Sequence, residues 1–380
     1  MSDRKIEVMV VDDSATARRI LSDIVNKSPN MRVCSSVADP YEAVAQLKKS
    51  VPDVMILDVQ MPRMDGITFL KKLMKQHPLP VIMCSSFTEK GSSTSLECLE
   101  NGAVEIIAKP KIANKMDMLE LEMRIHDVIL SSAQARFRSV GKPRISSVPP
   151  PQPAEQKQRV GTERNTPDAL LPPPSPMAIA KIPVTQQKII AVGASTGGTD
   201  AIRNFLEQLP ADCPGIVIVQ HMPEHFTKSF ADRLNATCPM AVKEAEPGDV
   251  IEPGRVLIAP GSHHMMVRRS GQRYSVELKD GPLVSRHRPS VDVLFRSVAS
   301  SVGRNAVGVI LTGMGDDGAV GMLEMKQAGS YNIAQDRQSC VVFGMPNEAM
   351  KQGGVHETLP LGKIGTQALA KSQSSSGVLR

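Results

Sequence analysis

The stretch Lys188-Ile-Ile-Ala-Val-Gly-Ala-Ser-Thr-Gly-Gly-Thr-Asp200 reads as a buried strand that breaks into a glycine turn and then a helix. Ile189 to Val192 is continuously apolar, without the alternation of a half-exposed strand, as expected where helices cover both faces of a parallel sheet. Gly193, Gly197 and Gly198 permit a tight turn, and a helix is expected from near Thr199. Ser195 falls in the middle of that turn. A strand-to-helix elbow would lift its hydroxyl above the sheet edge, beside the free N–H groups and positive dipole end of the following helix.

Two chemistries fit the turn. Gly193-Ala-Ser195-Thr-Gly197 matches the G-x-S-x-G nucleophile pattern. It also approaches a dinucleotide fingerprint, with Ser195 where the second glycine should let backbone meet a pyrophosphate. That side chain counts against a dinucleotide. So does the next strand, Gly215-Ile-Val-Ile-Val219, which ends in Gln220-His221 and not in the acidic residue that holds a ribose. A glycine turn without chemistry would be the default, but the rest of the C-terminal half argues otherwise. Further buried strands are expected at Arg255–Ala259 and Ala306–Leu311, so this half reads as an open α/β sheet with its crevice at the strands' carboxyl ends. Ser195 ends the first strand and His221 the second. Asp316 and Asp317 lie in Thr312-Gly-Met-Gly-Asp-Asp-Gly318 after the Ala306–Leu311 strand. A serine hydroxyl becomes a good nucleophile when an imidazole takes its proton and a carboxylate fixes that imidazole. The glycines around Met314 would offer backbone N–H groups to an oxyanion. The chain order Ser, His, Asp differs from the Ser, Asp, His of α/β-hydrolases. His225, His263, His264 and His287 are rivals for the imidazole, but none so clearly ends a buried strand.

The N-terminal third alternates in a βα pattern. Strands are expected at Glu7–Val11, Val54–Leu57, Val81–Cys84 and Ile106–Ile107, and helices at Ala15–Lys27, Pro40–Lys49 and Gly66–Lys75, giving a parallel sheet covered on both faces. Asp12, Asp13, Asp58, Ser85 and Lys109 all fall at strand ends. Three carboxylates converging on one edge repel unless a cation sits between them, and oxygen ligands suit Mg²⁺. A lysine and a hydroxyl beside them could hold a phosphoryl group. Singly, each aspartate reads as a helix cap; five such residues in one domain do not.

The 380 residues are enough for two domains. A net charge of +6, evenly spread and without interleaved aromatics, gives no support to nucleic-acid binding. The six cysteines show no C-x-x-C spacing and read as reduced, mostly buried thiols. With no signal peptide and no bilayer-length apolar run, a cytoplasmic protein is expected. A helix is expected at Met116–Phe137. Gly141–Pro183, rich in proline, reads as an extended or disordered spacer.

Val10-Val-Asp-Asp-Ser14, Ile56-Leu-Asp-Val-Gln-Met-Pro62, Met64-Asp-Gly66, Cys84-Ser-Ser86 and Lys109-Pro110 resemble the receiver domain of two-component response regulators. Ser86 departs mildly from the alanine of many receivers. The resemblance implies a flavodoxin-like doubly wound parallel sheet, phosphorylation at Asp58, Mg²⁺ held by Asp12, Asp13 and Asp58, and phosphoryl sensing by Ser85 and Lys109. In the C-terminal half the turns at Gly193 and Thr312, Val219-Gln-His-Met-Pro223, His287-Arg-Pro-Ser-Val-Asp-Val-Leu-Phe295, Ala334-Gln335 and Cys340-Val-Val-Phe-Gly-Met-Pro346 resemble the chemotaxis protein-glutamate methylesterase family, CheB.

That second resemblance implies a Rossmann-like α/β domain with the triad Ser195, His221 and Asp317, an oxyanion donor at the Met314 N–H, and Thr196 orienting His221. It implies demethylation of γ-glutamyl methyl esters on chemoreceptor cytoplasmic helices with release of methanol, and deamidation of receptor glutamines. A CheA-type histidine kinase would phosphorylate Asp58, relieving a block of the esterase crevice by the receiver; the esterase itself needs no cofactor. The expected divisions are 1–130, receiver; 131–184, helix end and linker; 185–372, esterase; and 373–380, tail, in a monomer peripheral to receptor arrays. The competing readings are a phospho-dependent binding protein that hydrolyses nothing and a phospho-activated transcription factor. An intact triad set opposes the first, and the absence of a helix-turn-helix or basic face opposes the second.

Overall fold

A computed structural model describes residues 4–85, 97–110, 115–135, 165–224 and 226–373. Ser86, His225 and the first part of the expected spacer, up to residue 164, lie outside the described residues.

The first sheet is parallel, in the order β2-β1-β3-β4-β5, formed by β1 (Ile6–Val11), β2 (Met31–Val37), β3 (Val54–Asp58), β4 (Val81–Ser85) and β5 (Glu105–Ala108). Around it lie α1 (Ala15–Lys27), α2 (Pro40–Leu47), α3 (Gly66–Gln76) and α4 (Lys115–Gln134). β2 escapes the sequence reading because its edge position leaves Arg32, Cys34 and Ser36 exposed, so no apolar run announces it. Ser14, not an aspartate, caps α1 by accepting from Ala17 N–H at 3.3 Å. Asp12 and Asp13 are therefore left for other work.

The second sheet has seven parallel strands in the order β15-β14-β13-β6-β7-β10-β8. They are β6 (Ile189–Ala194), β7 (Gly215–Gln220), β8 (Ala241–Glu244), β10 (Arg255–Ile258), β13 (Ala306–Ile310), β14 (Tyr331–Gln335) and β15 (Glu357–Leu359). Every residue of β6, β7 and β13 is buried. Alternate residues of β6 serve opposite cores: Ile190, Val192 and Ala194 face one, Ile189 and Ala191 the other. That is why the run shows no polar alternation. The helices are α5 (Pro176–Ala180), α6 (Gly198–Leu206), α7 (Phe226–Thr237), α8 (Val291–Ser301), α9 (Ala319–Gln327), α10 (Met345–Lys351) and α11 (Leu361–Gln373). A small antiparallel sheet, β11-β12-β9 (His264–Ser270, Arg273–Lys279, Val250–Ile251), draws β9 from before β10 in the chain and β11 and β12 from between β10 and α8, and was not foreseen.

The later part of the proline-rich segment is not an extended spacer. Pro167–Ala169 forms a 3-10 turn and α5 follows it. Both dock on the esterase half, where the buried Arg296 guanidinium donates to Asp168 at 2.5 Å and to the Leu171 carbonyl at 2.9 Å. Proline composition hid this, because the docking relies on a few side chains and not on periodicity. Four cysteines are buried, Cys34 is exposed and Cys238 half-buried, and all six are free thiols.

Candidate active site and its receiver cover

β6 sits between β7 and β13, so the carboxyl ends of three neighbouring strands meet where the strand order changes direction. The turn after β6 needs a left-handed residue at Gly197, φ 76°, before α6 can start. Gly313 lets the loop after β13 press on the same turn: an added Cβ would stand 2.8 Å from the Ser195 Cβ. Met314 follows Gly313 in this loop, and the Ser195 N–H itself donates to the Thr312 carbonyl at 3.0 Å.

His221 Nε2 lies 2.8 Å from Asp317 Oδ2, with both residues buried. Since a carboxylate accepts, Nε2 carries the proton and Nδ1 is left with its lone pair. Nδ1 is enclosed and has no hydrogen-bond partner, so the Ser195 hydroxyl has not yet engaged it in this state. Catalytic hydrogen bonds are often longer before substrate arrives. Asp317 is heavily supported. Its Oδ1 accepts from Ser290 Oγ at 2.8 Å and Asp292 N–H at 2.9 Å, and its Oδ2 also accepts from Val291 N–H at 2.8 Å. These donors are the start of α8, whose dipole favours a negative charge there. Burial alone would raise the Asp317 pKa; the bond to and charge of His221, then His287 and the Asp292 N–H, outweigh it and hold the carboxyl at about 2. Neighbouring Asp292 is pushed well up, by burial and by the charge of Asp317. Asp317 therefore carries the charge of the pair. Asp316, half-buried, gives its carbonyl to the Ala319 N–H at 3.0 Å.

The rival histidines are placed elsewhere or in support. His264 Nε2 lies 3.0 Å from the Pro282 carbonyl oxygen while Nδ1 accepts from Ser290 N–H at 3.3 Å, which makes it structural. His263 pairs with Asp280 near the surface. His287 stacks on His221. The sequence reading quoted the His287–Phe295 motif without seeing that it supplies both this ring and the amide cradle of Asp317; only the tertiary fold joins them.

The receiver half supplies its own cluster. Ligand atoms of Asp12, Asp13 and Asp58 lie within 4.8 Å of one another. Lys109 Nζ donates to Asp58 Oδ2 at 2.8 Å. It also lies 3.1 Å from Asp12 Oδ2, but without hydrogen-bond geometry, so that buried oxygen has no hydrogen-bond partner. Burial raises the Asp58 pKa to about 6; the Lys109 hydrogen bond opposes this and the charge of Asp12 adds to it. An orphaned buried carboxylate oxygen among three acids fits a hard divalent cation. Ser85 ends β4, buried, and its carbonyl accepts from the Lys109 N–H at 2.7 Å.

α4 and β5 of the receiver lie against the Ser195 turn. Thr196 does not reach His221 among the described residues. Its hydroxyl instead donates to Ser131 Oγ of α4 at 3.2 Å and lies against the Glu105 carboxyl. Burial pushes Glu105 up to about 7, against the charge of Arg124, the hydrogen bond from the Ile106 N–H and the nearby Thr196 hydroxyl. Arg286, next to the stacked His287, pairs with Asp127 of α4 at 3.4 Å, and Arg233 pairs with Glu100. Ser195 is only 8% exposed beneath this cover.

Fold and site together define a response regulator whose receiver overlies a serine-type hydrolytic centre. Family models agree: residues 8–120 match the response regulator receiver domain and 190–368 the CheB methylesterase. Protein-glutamate methylesterase/protein-glutamine glutaminase 3 of Geobacter metallireducens is 53% identical over 96% of this chain and 99% of its own. Protein-glutamate methylesterase/protein-glutamine glutaminase 2 of Rhizobium johnstonii is 52% identical over 97% and 99%. The crystal structure of the Thermotoga maritima CheB methylesterase catalytic domain is 38% identical, covering 49% of this chain and 99% of that one, with a TM-score of 0.48. The chain belongs to the protein-glutamate methylesterase/protein-glutamine glutaminase family.

Proposed function

We propose that this chain is a phosphorylation-activated hydrolase that demethylates γ-glutamyl methyl esters on methyl-accepting chemotaxis receptors and deamidates receptor glutamines. The observation that carries the reading is the buried 2.8 Å His221–Asp317 pair, with the His221 Nδ1 unpartnered and the His221 N–H donating at 3.1 Å to the carbonyl of Ala194, next to Ser195. Ser195 Oγ attacks the ester carbonyl carbon while His221 Nδ1 takes the hydroxyl proton. Asp317 holds Nε2–H and balances the imidazolium. The oxyanion faces the Met314 N–H. His221 then returns the proton to the leaving methoxide, which departs as methanol. Water, deprotonated by the same imidazole, splits the acyl-enzyme to glutamate. With a glutamine side chain, ammonia leaves in place of methanol.

Asp58 is the phosphoacceptor in this reading, with Ser85 and Lys109 contacting the phosphoryl group. Asp12, Asp13 and Asp58 would hold Mg²⁺, which supplies charge neutralisation where phosphoryl oxygens meet carboxylates. A CheA-type histidine kinase is the donor, the receptor helices are the substrate, and the chain acts as a monomer divided at about residues 130 and 185. Among the described residues no helix is long and apolar enough to cross a membrane, so contact with receptor arrays would be peripheral. Contacts of α4 and β5 with the Ser195 turn support a receiver that blocks the crevice until phosphorylated.

The test is labelling with a serine-directed phosphonate alongside methanol release from methylated receptor membranes. Wild type should be labelled at Ser195 and release methanol, and Ser195→Ala should do neither while still accepting a phosphoryl group at Asp58. An unlabelled, inactive wild type whose Asp58 is phosphorylated would favour a binding protein without hydrolysis.

A further inference from the structure

We propose that His287 is a positioning residue for the triad imidazole: its ring holds the plane of His221 so that Nδ1 faces Ser195, and gives the transient imidazolium a neutral aromatic face. The inference rests on the triad reading above. The two rings are stacked, 3.7 Å between centroids and 8° from parallel. Asp317 fixes His221 only at Nε2, and Nδ1 has no partner. One hydrogen bond on the ring edge leaves rotation about that axis open, and a face-to-face neighbour closes it.

His287 is itself held firmly. Its Nδ1 lies 2.8 Å from the Ser285 carbonyl oxygen, and because a carbonyl only accepts, Nδ1 carries the proton and the ring is fixed in one neutral tautomer. The carbonyl is delivered by an unusual backbone: Ser285 and Arg286 have φ of 50° and 71°, left-handed values that neither residue favours. Such a conformation is strained and persists only where surroundings enforce it. Here Val284 and His287 exchange N–H to carbonyl bonds at 3.1 and 2.8 Å across the turn, and Ser285 Oγ donates to buried Asp292 at 3.1 Å. Asp292 leads α8, whose first amides hold Asp317. One rigid unit therefore fixes both the carboxylate on the edge of His221 and the ring on its face.

Neutrality of His287 is required by this role, since two charged rings stacked at this spacing would repel one another. The charged and titratable groups acting on it are His221, Asp317 and Arg124 of α4. Burial, followed by His221, pushes its pKa down to about 3, so it stays neutral while His221 gains and loses its proton.

The experiment uses the full chain with small-molecule phosphodonor and Mg²⁺, and measures methanol release across pH for wild type, His287→Phe and His287→Asn. Phe keeps a stacking ring without nitrogens and should hold kcat within about threefold, with an unmoved acid limb. Asn keeps an N–H for the Ser285 carbonyl but no ring, and should lose about 10–100-fold in kcat with KM little changed. The reverse order would assign the role to the N–H and overturn the proposal, as would an acid limb displaced by more than about half a pH unit in the Phe variant. Equal losses in both variants, with lowered Tm, would make His287 merely structural. Imidazole NMR of wild type needs neither turnover nor a variant: His287 should remain neutral and protonated at Nδ1 from about pH 5 to about 8. Titration of His287 in that window overturns the proposal, whereas a silent His287 in a wild type that releases no methanol counts against the esterase reading alone.

Discussion

Asp317 keeps its charge although it is fully enclosed, because three backbone or hydroxyl donors and one imidazole converge on it while Asp292 stays protonated beside it. Asp317→Asn preserves the volume but presents an amide N–H or a neutral oxygen to His221, which favours the wrong tautomer. We expect kcat to fall by about 10⁴-fold with substrate affinity little changed, measured as methanol release. A loss below about tenfold would remove Asp317 from the triad. Its folded pKa of about 2 lies below the ordinary 3.8. The stability it contributes is therefore present above pH 3.8 and is lost as pH falls through 2. The proposed triad positions were readable because Ser195, His221 and the pair Asp316 and Asp317 each end or follow a buried strand, and strand ends in such sheets converge; only the family resemblance singled out Asp317 from Asp316. His287 and the amides of Val291 and Asp292 were not legible, since a loop distant in sequence meets the site only through the packing of α8 against α9 and β6.

At the scale of elements, α4 and β5 make the contacts through which the proposed control would act. Thr196 sits against Ser131 and Glu105, so the residue next to the candidate nucleophile is held by the receiver. Glu105 is raised by burial from 4.5 to about 7. A carboxyl raised on docking favours the docked form below the exposed pKa of 4.5 and loses that contribution as pH rises through about 7. At about 1.4 kcal/mol per pH unit, the cover should weaken appreciably across that window. The ratio of unphosphorylated to phosphorylated activity, which cancels any pH dependence common to both forms, should therefore rise with pH in wild type and stay flat in Glu105→Gln. An equal slope in both would clear Glu105 of the effect. Asp127→Ala, which frees Arg286 at the partly exposed rim, should raise unphosphorylated activity by only about two- to fivefold, as suits a surface ion pair. The helices Ala15–Lys27 and Gly66–Gln76 were readable from periodicity; the Asp65 cap of the latter, accepting from Thr68 N–H, emerges only in the structure. Edge strand β2 and the small antiparallel sheet were not, because exposed or mixed faces erase the apolar signal.

At the scale of the whole molecule, two α/β units with different chemistry are coupled through one face. The Asp58 cluster lies at the carboxyl end of the receiver sheet, and β5 links Lys109, which holds Asp58, to Glu105 at the esterase contact. In the proposed mechanism a phosphoryl group on Asp58 would displace the Lys109 ion pair at one end of that strand and so bias the docking at the other. Asp58→Asn should keep basal methanol release and lose its response to phosphodonor; a preserved response would place the phosphosite elsewhere. The division into two units was plain from the sequence, whereas the docking of residues 165–183 was masked by proline content, which describes a segment's stiffness but not what it rests on. The central claim is that Asp58 controls the Ser195 centre, and it is tested most directly by methanol release from methylated receptor membranes with and without phosphodonor and Mg²⁺. Release that rises with phosphodonor is the expected result. Equal release under both conditions, with Asp58 demonstrably phosphorylated, would contradict it.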